Sequence, residues 1–76
     1  MDTKKGPTSI VYCLAIHGSK LYSGSNDGTI RIWNTEEPYE CIETLEGHTG
    51  WVFCLAIHEN KLYSGSADKT IRVWKV

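Results

Sequence analysis

Three side chains in the second half of the sequence are of the types a hydrolase uses: His48, Ser64 and Asp68. A hydroxyl nucleophile needs a base to take its proton, and that base needs a carboxylate to hold its tautomer. The local sequence argues against that use. Ser64 lies in Ser64-Gly65-Ser66 rather than on a Gly-x-Ser-x-Gly elbow between a strand and a helix. No stretch of the chain has a helical period that could build the elbow. The same residues read as a structural lock: a buried His needs a partner at each ring nitrogen, and a carboxylate is a natural acceptor for one of them. No catalytic residue is expected.

A second constellation, Cys13-x-x-x-His17 with Cys54-x-x-x-His58, supplies the two Cys and two His of a zinc site. Residues four apart on a strand are separated by about 13 Å, whereas zinc–ligand bonds are near 2.0–2.3 Å. One pair cannot share an ion, so the site would need the two pairs to converge. The expectation is no metal, with Cys13 and Cys54 as small buried apolar residues and each His at a strand-ending turn.

The elements that carry these residues come twice. Lys61–Trp74, KLYSGSADKTIRVW, restates Lys20–Trp33, KLYSGSNDGTIRIW, and a shift of 41 places Val11–Thr35 on Val52–Val76 with 17 of 25 positions identical. Each copy reads as strands. Ile10–Ile16 and Trp51–Ile57 are apolar runs of the kind that suits a strand buried on both faces. Lys20–Ser25 and Lys61–Ser66 follow a short turn, with Leu21, Ser23 and Ser25 on one face and Tyr22 and Gly24 on the other. Asn26-Asp27-Gly28 is a hairpin signal. Thr29–Trp33 and Thr70–Val76 alternate again. Glu40–Leu45 is short and charged, as befits an outer edge strand. Seven antiparallel strands and no helix make the all-β class, in units of four and three strands.

A period of 40–45 residues with a Gly-His element and a terminal Trp is the mark of a propeller blade, and Gly47-His48 with Trp33 and Trp74 supplies those marks. The chain resembles the WD-repeat family over Ile10 to Val76. The resemblance implies two propeller blades, the second lacking its outer strand, and a domain layout of a 1–9 N-terminal arm, blade 1 at 10–45 and blade 2 at 46–76. It also implies a hydrogen-bonded set in each blade: His48, Ser64 (or Ser66, on the same face), Asp68 and Trp74 in the second, and Ser23, Asp27 and Trp33 in the first, where Pro7 stands in place of the His. The Asp that follows Trp in many such repeats is replaced by Asn34 and Lys75. Partners of the family often dock where the innermost strand begins. That face maps to Ile10, Tyr12 and Asn26 in the first unit and to Trp51, Phe53 and Ala67 in the second. Aromatic pairs have hot-spot composition, but the same residues could pack between blades. Tyr22 and Tyr63 are expected between blades, and Arg31 and Arg72 on outward positions, solvated or paired with Glu.

Composition bounds the function. Net charge is −1 and the sequence pI is about 6.3, so no basic excess points to nucleic acid or an anionic membrane. The longest apolar run, Trp51–Ile57, is far too short to span a bilayer as a helix. Met1–Lys5 leads to Gly6-Pro7 rather than to an apolar core, so no secretory signal is expected. Three cysteines, Cys13, Cys41 and Cys54, without disulfide-like spacing suit a reducing, cytoplasmic setting. No cofactor is implied. Two blades cannot cover both of their own outer faces. Three arrangements are therefore open: an excised piece of a longer propeller, a chain completed by a different protein, or a homo-oligomer of three or four copies closing a six- or eight-bladed ring. In the last, Met1–Lys5 of one copy would supply part of the outer strand of the next. The function expected is a non-enzymatic scaffold for protein or peptide partners; the alternative is a fragment or design whose only activity is self-assembly.

Overall fold

The computed structural model describes residues 10–76. Seven strands follow in chain order: β1 Val11–His17, β2 Lys20–Ser25, β3 Ile30–Asn34, β4 Cys41–Leu45, β5 Val52–His58, β6 Lys61–Ser66 and β7 Ile71–Lys75. They form two antiparallel meanders, a four-stranded sheet β1-β2-β3-β4 and a three-stranded sheet β5-β6-β7. Several boundaries differ from the sequence reading: β1 and β5 run one residue later at each end, β3 is Ile30–Asn34 rather than Thr29–Trp33, β4 opens at Cys41 rather than Glu40, and β7 is Ile71–Lys75 rather than Thr70–Val76. Thr29 and Thr70 stay outside the strands because their amides are taken by the side chains of Asp27 and Asp68. The expectations for residues 1–9, including the N-terminal arm, Pro7 in place of the His and the strand supplied by Met1–Lys5, lie outside the described residues.

The two units are built alike. β1 pairs with β2 through a register shift between Val11 and Cys13, and β5 pairs with β6 through the same shift between Val52 and Cys54. The extra residue at each bulge is aromatic, Tyr12 or Phe53. A bulge adds one residue to one strand and bends it, which turns Tyr12 and Phe53 out of the ladder while Cys13 and Cys54 keep the sheet face.

The core is the contact between the sheets. Tyr22, Ile30 and Ile32 of the first unit meet Val52 and Leu62 of the second, with Cys13, Leu45, Leu55, Ile57 and Trp74 packed around them. Gly24 makes this approach possible. A Cβ there would stand 2.5 Å from Val52 Cγ1 and 2.7 Å from Cys13 Sγ, so any side chain would force the sheets apart. Gly28 does the same at the turn. Its φ is +84°, and a Cβ would meet the His48 carbonyl oxygen at 2.7 Å.

Several burial expectations change because each unit has a neighbour on one side only. β1 is not buried on both faces: Leu14 is 61% and Ile16 68% exposed. Cys54 is exposed, unlike half-buried Cys13, because it lies on the open face of the second sheet. Arg31 is partly buried and reaches Asp27 at 3.6 Å and Thr44 Oγ1 at 3.3 Å, rather than a Glu. Tyr22 is buried between the sheets, and Tyr63, its copy, is only half covered.

Candidate functional site

The chemistry-bearing residues of the second unit come together where the junction before β5 crosses the sheet. His48 comes from that junction, Ser64 from β6, Asp68 from the turn after β6 and Trp74 from β7. The contacts form one directed chain. Trp74 Nε1–H donates to Ser64 Oγ at 2.8 Å. Ser64 Oγ and His48 Nε2 are 2.7 Å apart, and His48 Nδ1 and Asp68 Oδ2 are 2.9 Å apart. A carboxylate can only accept, so Nδ1 carries the proton, Nε2 accepts, and the Ser64 hydroxyl donates to it. Every polar atom of the set has a partner, the condition under which a buried network stabilises rather than costs. Of the two serines left open by strand alternation, Ser64 holds this position. Ser66 accepts the Asp68 amide at 3.1 Å instead.

Asp68 is the hub. It accepts the Thr70 amide at 2.9 Å, the Thr49 amide at 3.0 Å, the Thr70 hydroxyl and His48. These donors hold its carboxyl well below the usual carboxylate range: the Thr70 hydroxyl contributes most, desolvation, next in size, opposes it, and His48 and the two backbone amides add to the lowering. A folded-state pKa below the unfolded one means that the contribution is fully present above the ordinary Asp pKa of about 3.9. It is lost as pH falls through that value toward the folded one. Urea midpoints should therefore drop between about pH 5 and about pH 2 more steeply in the wild type than in Asp68→Asn. Parallel pH profiles for the two proteins would contradict the assignment.

The first unit places Ser23, Asp27 and Trp33 at the corresponding points, and Trp33 Nε1–H donates to Ser23 Oγ at 3.0 Å. Asp27 turns to other donors: the Thr29 amide at 2.9 Å, the Thr29 hydroxyl at 2.6 Å, the Ser25 hydroxyl, and Arg31.

The hydrolase reading fails on access. Ser64 is 0% exposed, and its oxygen is covered by the Trp74 indole, so a carbonyl carbon has no approach to it. Among the described residues, no three His, Cys, Asp or Glu side chains converge as metal ligands.

The other sequence-derived group gathers at one edge of the molecule. The Ile10 amide donates to Asn26 Oδ1 at 3.2 Å and the Asn26 amide to the Ile10 carbonyl at 3.0 Å. In the second unit the Ala67 amide donates to the Trp51 carbonyl at 2.8 Å. Tyr12 and Trp51 stack with centroids 5.4 Å apart, and Phe53 lies 6.0 Å from Tyr12 and 5.9 Å from Trp51. Tyr12, Trp51 and Phe53 remain 39–48% exposed, so the cluster crosses from one unit to the other at the surface rather than filling the space between them. Sequence position set these residues on one face, but not the stacking of Tyr12 on Trp51, which depends on how the two units pack.

Comparison with known proteins adds three findings. The family description "WD domain, G-beta repeat" matches residues 1–34 and 39–75. Among solved structures, the computationally designed Ika4 protein aligns over 95% of this chain with a TM-score of 0.81 and 30% identity. The computationally designed Ika8 protein aligns over 95% of it with a TM-score of 0.82 and 30% identity. The chain spans 44% of the Ika4 chain and 22% of the Ika8 chain. A comparison with curated proteins gives no match. With two repeats matched over nearly the whole length, a Trp–Ser hydrogen bond in both units and the full His–Ser–Asp–Trp set in the second, this all-β chain belongs to the WD-repeat family of β-propeller units.

Proposed function

We propose that the chain is a non-enzymatic WD-repeat scaffold that works as a two-blade unit, closing with copies of itself into a six- or eight-bladed ring of three or four chains. The family is in general a protein-interaction scaffold. The observation that carries the assembly is the pair of apolar outer faces. Leu14 and Ile16 lie bare on the first unit, and Ile71 and Val73, 75% and 58% exposed, on the second. Exposed apolar surface of this kind marks a site of association. A head-to-tail contact between unlike faces closes into a cyclic ring. Cytoplasmic residence is part of the proposal and is supported by three free thiols, Cys13, Cys41 and Cys54. No cofactor or metal enters it.

Partner binding is assigned to the aromatic edge of Tyr12, Trp51 and Phe53, with Ile10, Asn26 and Ala67 beside them. The test is a fluorescence titration with a panel of short acidic and phosphorylated peptides. The scaffold reading expects saturable binding weakened at least tenfold by Trp51→Ala. Absence of binding across the panel would favour a second reading, a propeller unit whose only activity is self-assembly. The likeness to two computationally designed proteins favours that second reading.

A further inference from the structure

The contact between the two sheets is repeated, unoccupied, on the outside of the molecule. The first unit presents Cys13, Tyr22, Gly24, Ile30 and Ile32 to the second, and the copies of these residues, Cys54, Tyr63, Gly65, Ile71 and Val73, lie on the open face of the second sheet. The second unit presents Val52, Leu55, Ile57, Leu62 and Trp74 to the first, and their copies, Val11, Leu14, Ile16, Leu21 and Trp33, lie on the open face of the first sheet. Val73 replaces Ile32, and Leu45 of β4, which also packs on the internal contact, has no copy among the seven strands.

The closest point of the internal contact is specific. Val52, 0% exposed, enters the space that Gly24 leaves by having no Cβ. Its copy Val11 is 46% exposed. Gly24's copy Gly65 sits in an open apolar hollow lined with Cys54, Ala56, Tyr63 and Ile71. A Cβ on Gly65 would meet only the Cys54 sulfur, at 2.8 Å. The hollow therefore has the shape of the seat that Val52 fills, without an occupant from its own chain.

We infer that Val11 of one copy seats over Gly65 of the next, with Leu14 and Ile16 against the open face of β6 and β7. The inference rests on the self-assembly reading and fixes its surface and register. The occupant is a second copy of this chain, because its outer face carries the residues that already fill the same seat within the molecule. The turn contact is not repeated. Lys69, at φ +71°, stands where Gly28 admits the His48 carbonyl, so the inner strands carry the docking.

Two measurements test it together with the molar mass in solution. In the wild type, maleimide labelling mapped by mass spectrometry should show Cys54 at least tenfold slower at concentrations where the chain is oligomeric than where it is a single copy, with Cys41 unchanged. In a Val11→Cys, Cys13→Ala, Cys41→Ser variant, mild oxidation should join Cys54 of one copy to the new thiol of the next, giving a ladder of covalent species that ends at the ring number. Oligomers in which Cys54 labels at the same rate and no ladder forms would overturn the docking surface while leaving self-assembly standing. A single copy at all concentrations would overturn both. If the triple substitution unfolds the variant, the wild-type labelling rates decide.

Discussion

Replacing Ser64 with alanine is expected to destabilise the chain by about 2–4 kcal/mol, the largest single loss in the hydrogen-bonded set. Ser64 is fully buried and joins two partners, accepting from the Trp74 indole and donating to His48 Nε2. Its removal strands a buried N–H and a buried imidazole nitrogen, each at about 1–3 kcal/mol. Ser23→Ala is the internal control. Ser23 accepts from the Trp33 indole alone among the described residues, and its loss should cost about 1–2 kcal/mol. Urea melts of the two variants under identical conditions read the difference. Equal losses would mean that His48 gains nothing from Ser64.

The second large effect concerns assembly. Leu14→Asp and Ile71→Asp each place a carboxylate at the centre of one outer face. Both residues are mostly exposed in the single chain, 61% and 75%, so its own fold should change little and its circular dichroism should be unaltered. Burying an unpaired carboxylate in an apolar contact is costly enough to abolish that contact. Each variant should run as a single chain where the wild type is oligomeric. Mixing the two should restore one contact, between the unaltered face of each, and give a dimer that does not grow. Oligomers of normal size from either variant would show that these faces do not meet.

Much of this was legible in the sequence, for physical reasons. The strands followed from period-two alternation and turn residues, and a repeat with 17 of 25 positions identical allowed one unit to be read against the other. That His48, Ser64, Asp68 and Trp74 form one hydrogen-bonded group was implied by the resemblance to WD repeats, with Ser64 and Ser66 both open until the pairing placed Ser64 against His48. What escaped was whatever depends on which side of a sheet has a neighbour. Cys13 and Cys54 occupy the same place in the two repeats, yet one is half-buried and the other exposed, because identical sequences face different surroundings at the two ends of a stack. The same cause exposes Leu14 and Ile16 in a strand whose composition suits burial on both faces. Arg31 escaped for a local reason: the Asp four residues before it, in the turn, lies nearer than any Glu. Tyr12, Trp51 and Phe53 were legible as one face, but their stacking across the two units was not, because a bulge is a feature of pairing and Tyr12 carries no mark that it stands outside the ladder.

The measurement that bears most directly on the two-blade ring is the molar mass of the intact chain by light scattering across a concentration series. A discrete species at three or four times the chain mass of 8.6 kDa is expected, with intermediates scarce because closing the ring adds a contact without bringing in another chain. A mass that stays at one chain up to the highest concentration would contradict it, and would mean that the outer faces wait for blades supplied by other residues or by another protein.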